Sequence, residues 1–369
     1  MKIRLPFTVR RPVLAFGTQG KNTLCFASGR TARLSPIHPE ISSPEGFFAF
    51  KRSASAFLKD KPRILAYDLH PGYLPTSFAL SLRGTFLHRG IQHHHAHIAA
   101  CMAENGLSNH KIIGVAFDGT GMGLDASIWG AEFLICDYAH FRRAASLRQI
   151  PLLGMEMAIR QPWRALAAWL YSAYGEDFLK LRFNAVKKIK QGDWLILRKM
   201  YHAGFASPQA SSMGRLFDAI ACLVLDKASG GAEGELPRLL EQKAASCTEH
   251  LPPYSCVLKY KNGFYEIDPR ILLKSLVRDL LKGKSPASVA HAAHAGIAAA
   301  LLKTCVVLRK ETGLKAVALS GGVFQNNLLR GMAEGLLRGR GFTVHTHRLT
   351  SCSDAGVSLG QAAVAHFGG

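Results

Sequence analysis

The sequence lacks several features that define common enzyme classes. Its eight cysteines (Cys25, Cys101, Cys136, Cys222, Cys247, Cys256, Cys305 and Cys352) never form a CxxC pair. Without paired spacing a cysteine-built zinc site is not expected, and scattered thiols read as small core residues. There is no GxSxG elbow for a serine nucleophile and no GxxxxGK[ST] phosphate loop. No uninterrupted apolar run approaches the roughly 18 residues that cross a bilayer. The N-terminal stretch MKIRLPFTVRRPVLAFG has positive charge but no apolar segment followed by a small-residue cleavage site. No membrane association and a cytoplasmic location are therefore expected. Acidic residues are also scarce, 25 Asp and Glu against 46 Lys and Arg, for a net charge of +21. That excess predicts an anionic partner, whether nucleotide, nucleic acid or acidic protein. The densest basic stretch (Lys180, Arg182, Lys187, Lys188, Lys190, Arg198 and Lys199) has no RNA-reading motif around it. It reads as a solvated helix face, and nucleic acid is not the expected partner.

Hydrophobic residues make up 48% of the chain and charged residues 19%, the balance of a well-packed protein. One pattern occurs twice. Residues 11–27, RPVLAFGTQGKNTLCFA, read as apolar strand, glycine-bearing turn and apolar strand, and 111–136 read the same way with a longer turn. Such a hairpin tip lets backbone amides approach an anion, and two copies suggest two related lobes. Between them lie two shorter strands (63–69 and 84–92) and a helical run, HHHAHIAACMAENG. Past residue 150 the three- and four-residue apolar spacing predicts helices. The chain then returns to strand, loop, helix and strand over 315–347. Strands alternating with helices predict an α/β architecture.

The strongest local signal is QHHHAHIAA. On a helix His93 and His97 share a face, the spacing that holds one metal between two imidazoles, while His94 and His95 rotate away. The alternative is a polar, solvent-facing cluster. Asp118 opens DGTGMGLD directly after an apolar strand. Its carboxylate, with Gly119, Gly121 and Gly123 behind it, suits a phosphate-and-metal site, or else an ordinary Asp-Gly hairpin turn. The other hairpin favours the first reading. Gly321, Gly322 and Asn326 lie between a strand and a helix, where a flat anionic ligand can approach; a plain βα connection capped by Asn is the alternative. Asp354, after the last strand, is either a further metal ligand or an N-cap. The pair His291 and His294 is a weaker signal.

Taken in order, RPVLAFGTQGKNTLC, AYDLHPGYLPT, QHHHAHIAACMAENG, GVAFDGTGMGLDASIWGAEF, IRQPWR, SSMGRLFDA, SGGVFQNNLL and SCSDAGVSLGQ resemble the C-terminal half of the hydrogenase maturation family HypF. That module is similar to tRNA threonylcarbamoyl transferases and to NodU-type O-carbamoyltransferases. The resemblance implies two actin-like lobes of the sugar kinase/heat-shock ATPase superfamily with a nucleotide and metal cleft between them. Residues 1–110 would form the first lobe and 111–369 the second, with the C-terminal helix able to pack back on the first. It implies one transition-metal ion, iron or zinc, on His93, His97, Asp118 and Asp354. It also implies an adenine nucleotide (ATP, AMP or carbamoyl adenylate) on Gly119, Thr120, Gly121, Glu233, Gly321, Gly322 and Asn326. The implied reaction is carbamoyl transfer from carbamoyl adenylate to the C-terminal cysteine of HypE, with His70 near the carbamoyl or thiol and Lys21 near the phosphate. A metabolite O-carbamoyltransferase, a nucleotide-binding scaffold for HypE and a tRNA-modifying enzyme are the other readings. Two departures stand out: Ala232–Pro237 replaces the family's usual Tyr-Glu-Gly-Gln-Ala-Ala, and Ala126 and Ala131 stand where glycines are expected. Cysteine-rich and YrdC-like regions like those upstream in complete family members do not occur in this sequence. A separate YrdC-like protein or domain is therefore expected to supply the adenylate.

Overall fold

The duplication legible in the sequence is carried through to the sheets. A computed structural model describes residues 1–261 and 263–368. The first part of the chain runs β1 (Lys2–Ala15), β2 (Cys25–Leu34), α1 (Pro44–Leu58), β3 (Ile64–Asp68), α2 (Leu74–Ser81), β4 (Leu87–Ile91) and α3 (His93–Glu104). The second opens with β5 (Ile112–Met122), β6 (Ile128–Cys136), β7 (Phe141–Leu147) and β8 (Ile150–Pro151). A largely helical stretch follows: α4 (Glu156–Arg160), α5 (Pro162–Tyr174), α6 (Asn184–Lys187), α7 (Gln191–Ala203), β9 (Gln209–Ala210), α8 (Met213–Val224) and α9 (Glu235–Ala245). It ends with β10 (Val257–Lys261), β11 (Phe264–Asp268), α10 (Arg270–Leu281), α11 (Pro286–Thr312), β12 (Ala316–Ser320), α12 (Asn327–Gly339), β13 (Thr343–His345) and α13 (Val357–Phe367).

The four-stranded sheet has the order β2-β1-β3-β4, and the larger sheet contains β6-β5-β12-β13. Both start from an antiparallel hairpin and add two parallel strands to the free edge of its first strand. Parallel addition needs a crossover, which α2 and α12 supply between β3 and β4 and between β12 and β13. The helix after each fourth strand then crosses to the other sheet. α3 packs against β5 and β12, while α13 packs against β1, β2 and β3. The two helices also pack on each other, and Gly360 permits it: a Cβ there would lie 1.8 Å from the carbonyl oxygen of Ala96. This crossing places the N-terminal ends of α3 and α13 together between the sheets.

The larger lobe has its own core, in which Phe117, Phe133, Trp169, Phe217 and Leu301 are buried. α11 is long and apolar enough to cross a membrane by composition. Here its Ala292, Ile297, Leu301 and Cys305 are buried in that core. Most of the basic stretch 180–199 is exposed on α6, α7 and their connections, as a solvated face should be.

Candidate metal centre and nucleotide cleft

α3 begins at Gln92, whose side-chain oxygen accepts the His95 N–H at 2.9 Å and caps the helix. All four histidines of this first turn and a half are buried. That excludes the solvent-facing reading, and each ring has a partner or a neighbour to account for it. His95 Nε2 donates to the Asp137 carbonyl at 2.6 Å, and His94 Nδ1 lies 3.2 Å from Gln92 Nε2. His93 and His97 turn the other way. Their Nε2 atoms stand 3.1 and 3.2 Å from Asp118 Oδ2, and 3.8 and 3.6 Å from Asp354 Oδ1. The four ligand atoms lie within 4.8 Å of one another.

Asp118 is not at a strand end. β5 continues to Met122, with a break in register between Phe117 and Gly121, so Asp118 sits at a bulge that redirects its side chain. The amides of Gly119 and Gly322 both donate to Asp118 Oδ1, at 2.8 and 3.1 Å, which leaves Oδ2 for the histidines. His93 Nδ1 donates to Asp68 Oδ2 at 2.8 Å, so the neutral ring carries its lone pair on Nε2, while the charged ring donates from Nε2 to Asp118 Oδ2. His97 Nδ1 lies 3.3 Å from Ser320 Oγ, which in turn contacts His347 Nε2 at 2.8 Å.

Burial alone disfavours a charged His93, yet Asp68, Asp118 and Asp354 outweigh it and raise its pKa well above the ordinary value. Burial likewise opposes ionisation of Asp118, but His93 and His97 hold its carboxyl well below the usual range. Three carboxylates thus face two imidazoles, an arrangement that calls for a cation. The buried His97 Nε2 has no aligned hydrogen-bond partner. Two imidazoles, two carboxylates and an orphaned ring nitrogen fit a transition metal with open positions.

Glu104, at the other end of α3, fixes the loop that brings in Asp354. It accepts the amides of Leu349 and Thr350 at 3.1 and 2.9 Å, and faces His347 at 3.2 Å. Burial opposes its ionisation, but these bonds bring its pKa down to about 2.

A cleft of about 640 Å³ adjoins the cluster, lined by Lys21, Asp118, Gly119, Thr120, Arg215, Glu233, Arg238, Gly322, Asn326 and Asp354, among others. Lys21 reaches across from the β1–β2 turn to Gln325 Oε1 at 3.5 Å. Gly119 and Gly322 belong to this lining, but their amides are committed to Asp118. Gly121 lies outside it: a Cβ there would stand 2.6 Å from His94 and 2.8 Å from His93, so this glycine lets the histidines pack down. Gly321 has φ +100° and would place a Cβ 2.2 Å from the Phe117 carbonyl oxygen, so it joins β5 to the turn after β12. Asn326 caps α12 by accepting the Leu329 N–H at 2.8 Å, and its Nδ2 donates to His294 Nε2 at 2.9 Å. His294 Nδ1 in turn donates to the Ala290 carbonyl, so His294 is held neutral and orients Asn326.

His70 lies outside the cleft lining. It stacks on Tyr73 with ring centroids 4.2 Å apart, and its Nδ1 accepts the Gly72 N–H at 3.1 Å. Ala126 takes φ +59°, a glycine-like conformation where a glycine is expected from the resemblance. Gly234, within the altered 232–237 stretch, has φ +75° and starts α9.

Several residues of this region were not singled out from the sequence. Asp68 backs His93, and Arg215 lines the cleft with a buried Nη1 that lacks a partner, while its Nε pairs with Asp218 at 2.7 Å. Both lie inside quoted motifs, AYDLHPGYLPT and SSMGRLFDA, but only the fold shows which way they face.

Two family models cover most of the chain. Residues 8–104 match the HypF Kae1-like domain, and residues 114–361 match the second subdomain of the carbamoyltransferase Kae1-like domain. The molecule is therefore a Kae1-like carbamoyltransferase domain, which fits the two actin-like lobes expected from the resemblance. More narrowly, the chain belongs to the HypF carbamoyltransferase family. It is 35% identical over 364 residues to a carbamoyltransferase HypF homolog of Cupriavidus necator, covering 96% of this chain and 91% of that protein. It is 34% identical to the carbamoyltransferase HypF of Rhodobacter capsulatus, covering 97% of this chain but 47% of that one. A crystal structure of full-length HypF in a phosphate- and nucleotide-bound form superposes with a TM-score of 0.92 at 34% identity, covering 99% of this chain and 47% of that one. The chain thus spans about half the length of the longer relatives.

Proposed function

We propose that this cleft transfers a carbamoyl group from carbamoyl adenylate to the C-terminal cysteine of HypE, in the cytoplasm, on the route to a cyanide ligand of nickel–iron hydrogenase. The observation that supports the reading most is continuity. Asp118 and Asp354 of the four-residue cluster line the same cleft as Gly119, Thr120, Lys21 and Arg215, so a phosphate held there lies against the cluster. The solved relative that carries phosphate and nucleotide supports the same ligand class. One iron or zinc ion would be held by His93, His97, Asp118 and Asp354, and when bound supplies Lewis acidity toward a phosphate or carbamoyl oxygen.

The remaining work falls to the chain. Asp68 holds His93 with its Nε2 facing the cluster, and the amides of Gly119 and Gly322 hold Asp118. Because those amides are committed, the grip on the adenylate phosphate comes from Lys21, Arg215 and Arg238, while the two glycines leave it room. Glu233 and Asn326 face the nucleoside. The acceptor thiolate attacks the carbamoyl carbon, the bond to the phosphate oxygen breaks, and AMP leaves with that electron pair. His70 already uses Nδ1 as an acceptor, so its hydrogen is on Nε2. Such a ring can donate but not act as the base for the thiol, and because His70 stands outside the cleft lining it takes part only where the carbamoyl end of the substrate extends beyond that lining.

The test is mass spectrometry of HypE after incubation with this chain and carbamoyl adenylate, from synthesis or a YrdC-like partner. A carbamoyl mass gain on the terminal cysteine is expected, with none when carbamoyl phosphate and ATP replace the adenylate. Modification of a small alcohol or of tRNA in parallel reactions, with HypE untouched, would move the acceptor to another class. No modification of any acceptor by metal-loaded protein would leave a nucleotide-binding scaffold.

A further inference from the structure

A second set of metal-ligand side chains lies on the outer side of the large lobe, away from the cleft. Cys247 follows α9, His250 lies in the segment after it, and His291 projects from the N-terminal part of α11. Cys247 Sγ is 3.7 Å from His250 Nδ1, and the Nδ1 atoms of His250 and His291 are 3.4 Å apart. All three ligand atoms lie within 4.8 Å of one another. For tetrahedral zinc, bond lengths of about 2.3 Å to sulfur and about 2.05 Å to nitrogen place ligand atoms about 3.6 Å (S to N) and about 3.4 Å (N to N) apart. The two close separations are those of a zinc site. At 3.4 Å the two Nδ1 atoms can share one hydrogen, but that bond does not need the third ligand atom, the Cys247 thiol, that converges on the same point.

We propose that Cys247, His250 and His291 bind a zinc-class transition-metal ion, with water in the fourth, solvent-facing position. The spacing Cys-x-x-His contributes two ligands, and folding brings the third from 41 residues beyond His250. The absence of CxxC pairs conceals such a site from the sequence. Its place suggests what it does. α9 begins at the cleft, where Glu233, Gly234, Pro237, Arg238 and Glu241 form part of the wall. Glu241 also accepts the amides of Asn327 and Leu328 at 2.7 and 3.2 Å, joining α9 to α12. An ion at Cys247 clips the far end of that helix to α11, so occupancy steadies the nucleotide wall from behind.

Cobalt titration of the full chain, kept reduced, tests this apart from the buried cluster, which contains no thiolate. A thiolate-to-cobalt charge-transfer band is expected in the wild type, absent in Cys247→Ser and retained in the His93→Ala, His97→Ala double variant. Circular dichroism of Cys247→Ser checks that it is folded. Zinc competition against a chromophoric chelator should show one tight site fewer in His291→Ala than in the wild type. No band in the wild type, or a band that survives Cys247→Ser, overturns the proposal. Neither result bears on carbamoyl transfer, so failure here is distinct from failure of the proposed function.

Discussion

His93, His97, Asp118 and Asp354 meet at the junction of the two sheets, whereas Cys247, His250 and His291 meet on the outside of one lobe. Both sets bring their ligand atoms within 4.8 Å of one another, but their surroundings differ. In the buried set every inner group is held by another: His93 by Asp68, Asp118 by two amides, and His97 by Ser320 and His347. In the surface set the two imidazoles lean on each other, and Cys247 contacts the Glu249 carbonyl and Ser288. Close approach of ligands makes binding possible. Fixed orientation, a dry wall and an adjoining cleft are what make a reactive centre. The contrast assigns chemistry to the first set and tethering to the second.

Removing ligands gives the largest expected effect. His93→Ala with His97→Ala should lower metal content from two ions per chain to one by elemental analysis. It should reduce carbamoyl transfer by at least about 100-fold, the upper end of what loss of an outer partner alone does. The surface variant Cys247→Ser should also lose one ion while retaining most of its transfer activity. If Cys247→Ser stops transfer as completely as the double variant, the division between the two sites fails.

Asp68→Asn is the next largest. It keeps the shape but weakens the charge that holds His93 in its tautomer. Metal affinity at the buried set should fall about 10- to 100-fold by chelator competition. The surface site, whose histidines have no carboxylate partner among the described residues, should be untouched, and an unchanged affinity at the buried set would remove Asp68 from the account.

A smaller effect is expected at the cleft wall. Adenine nucleotide at about 100 times its Kd should stabilise the protein by about 2.7 kcal/mol through mass action. Gly322→Val should abolish the accompanying rise in Tm, because even a Cβ at 322 would lie 2.9 Å from Asp118 Oδ1. A full Tm rise in that variant would show that the nucleotide does not approach the turn.

The two sets also differ in how legible they were. The convergence of the buried set was readable because a helical repeat put His93 and His97 on one face, and the family motifs supplied Asp118 and Asp354. The duplicated hairpins likewise anticipated the repeated sheet order. What the sequence withheld was direction. Gly121 and Gly321 are glycines for packing against His94 and Phe117, and Asn326 is held by a cap and by His294. The bulge at Asp118 was hidden because a glycine-rich stretch reads as a turn even where the strand runs on. Cys247, His250 and His291 had no periodicity to join them, since two come from the loop after α9 and one from α11, and their meeting is purely tertiary.

The smallest expected effect asks whether the two sets communicate. His291 of the surface set and His294 lie three residues apart on α11, and His294 holds Asn326, four residues after Gly322 and its bond to Asp118. Burial, partly offset by the Ala290 carbonyl, pushes the His294 pKa down from 6.5 to about 4. Between these values the unfolded chain binds the proton more readily than the folded one, so stability rises with pH across the window and falls on acidification from 6.5 towards 4. The slope from this residue is at most about 1.4 kcal/mol per pH unit. Urea unfolding of wild type and His294→Gln at several pH values should show a steeper slope in the wild type, since other buried histidines such as His94 and His95 contribute to both proteins alike. The same variant should weaken nucleotide binding slightly, as Asn326 loses its guide, while the cobalt–thiolate band at Cys247 persists. Equal slopes in both proteins would show that His294 is not held neutral. Loss of the band would show that α11 transmits the change outward and that the two sets are one coupled system.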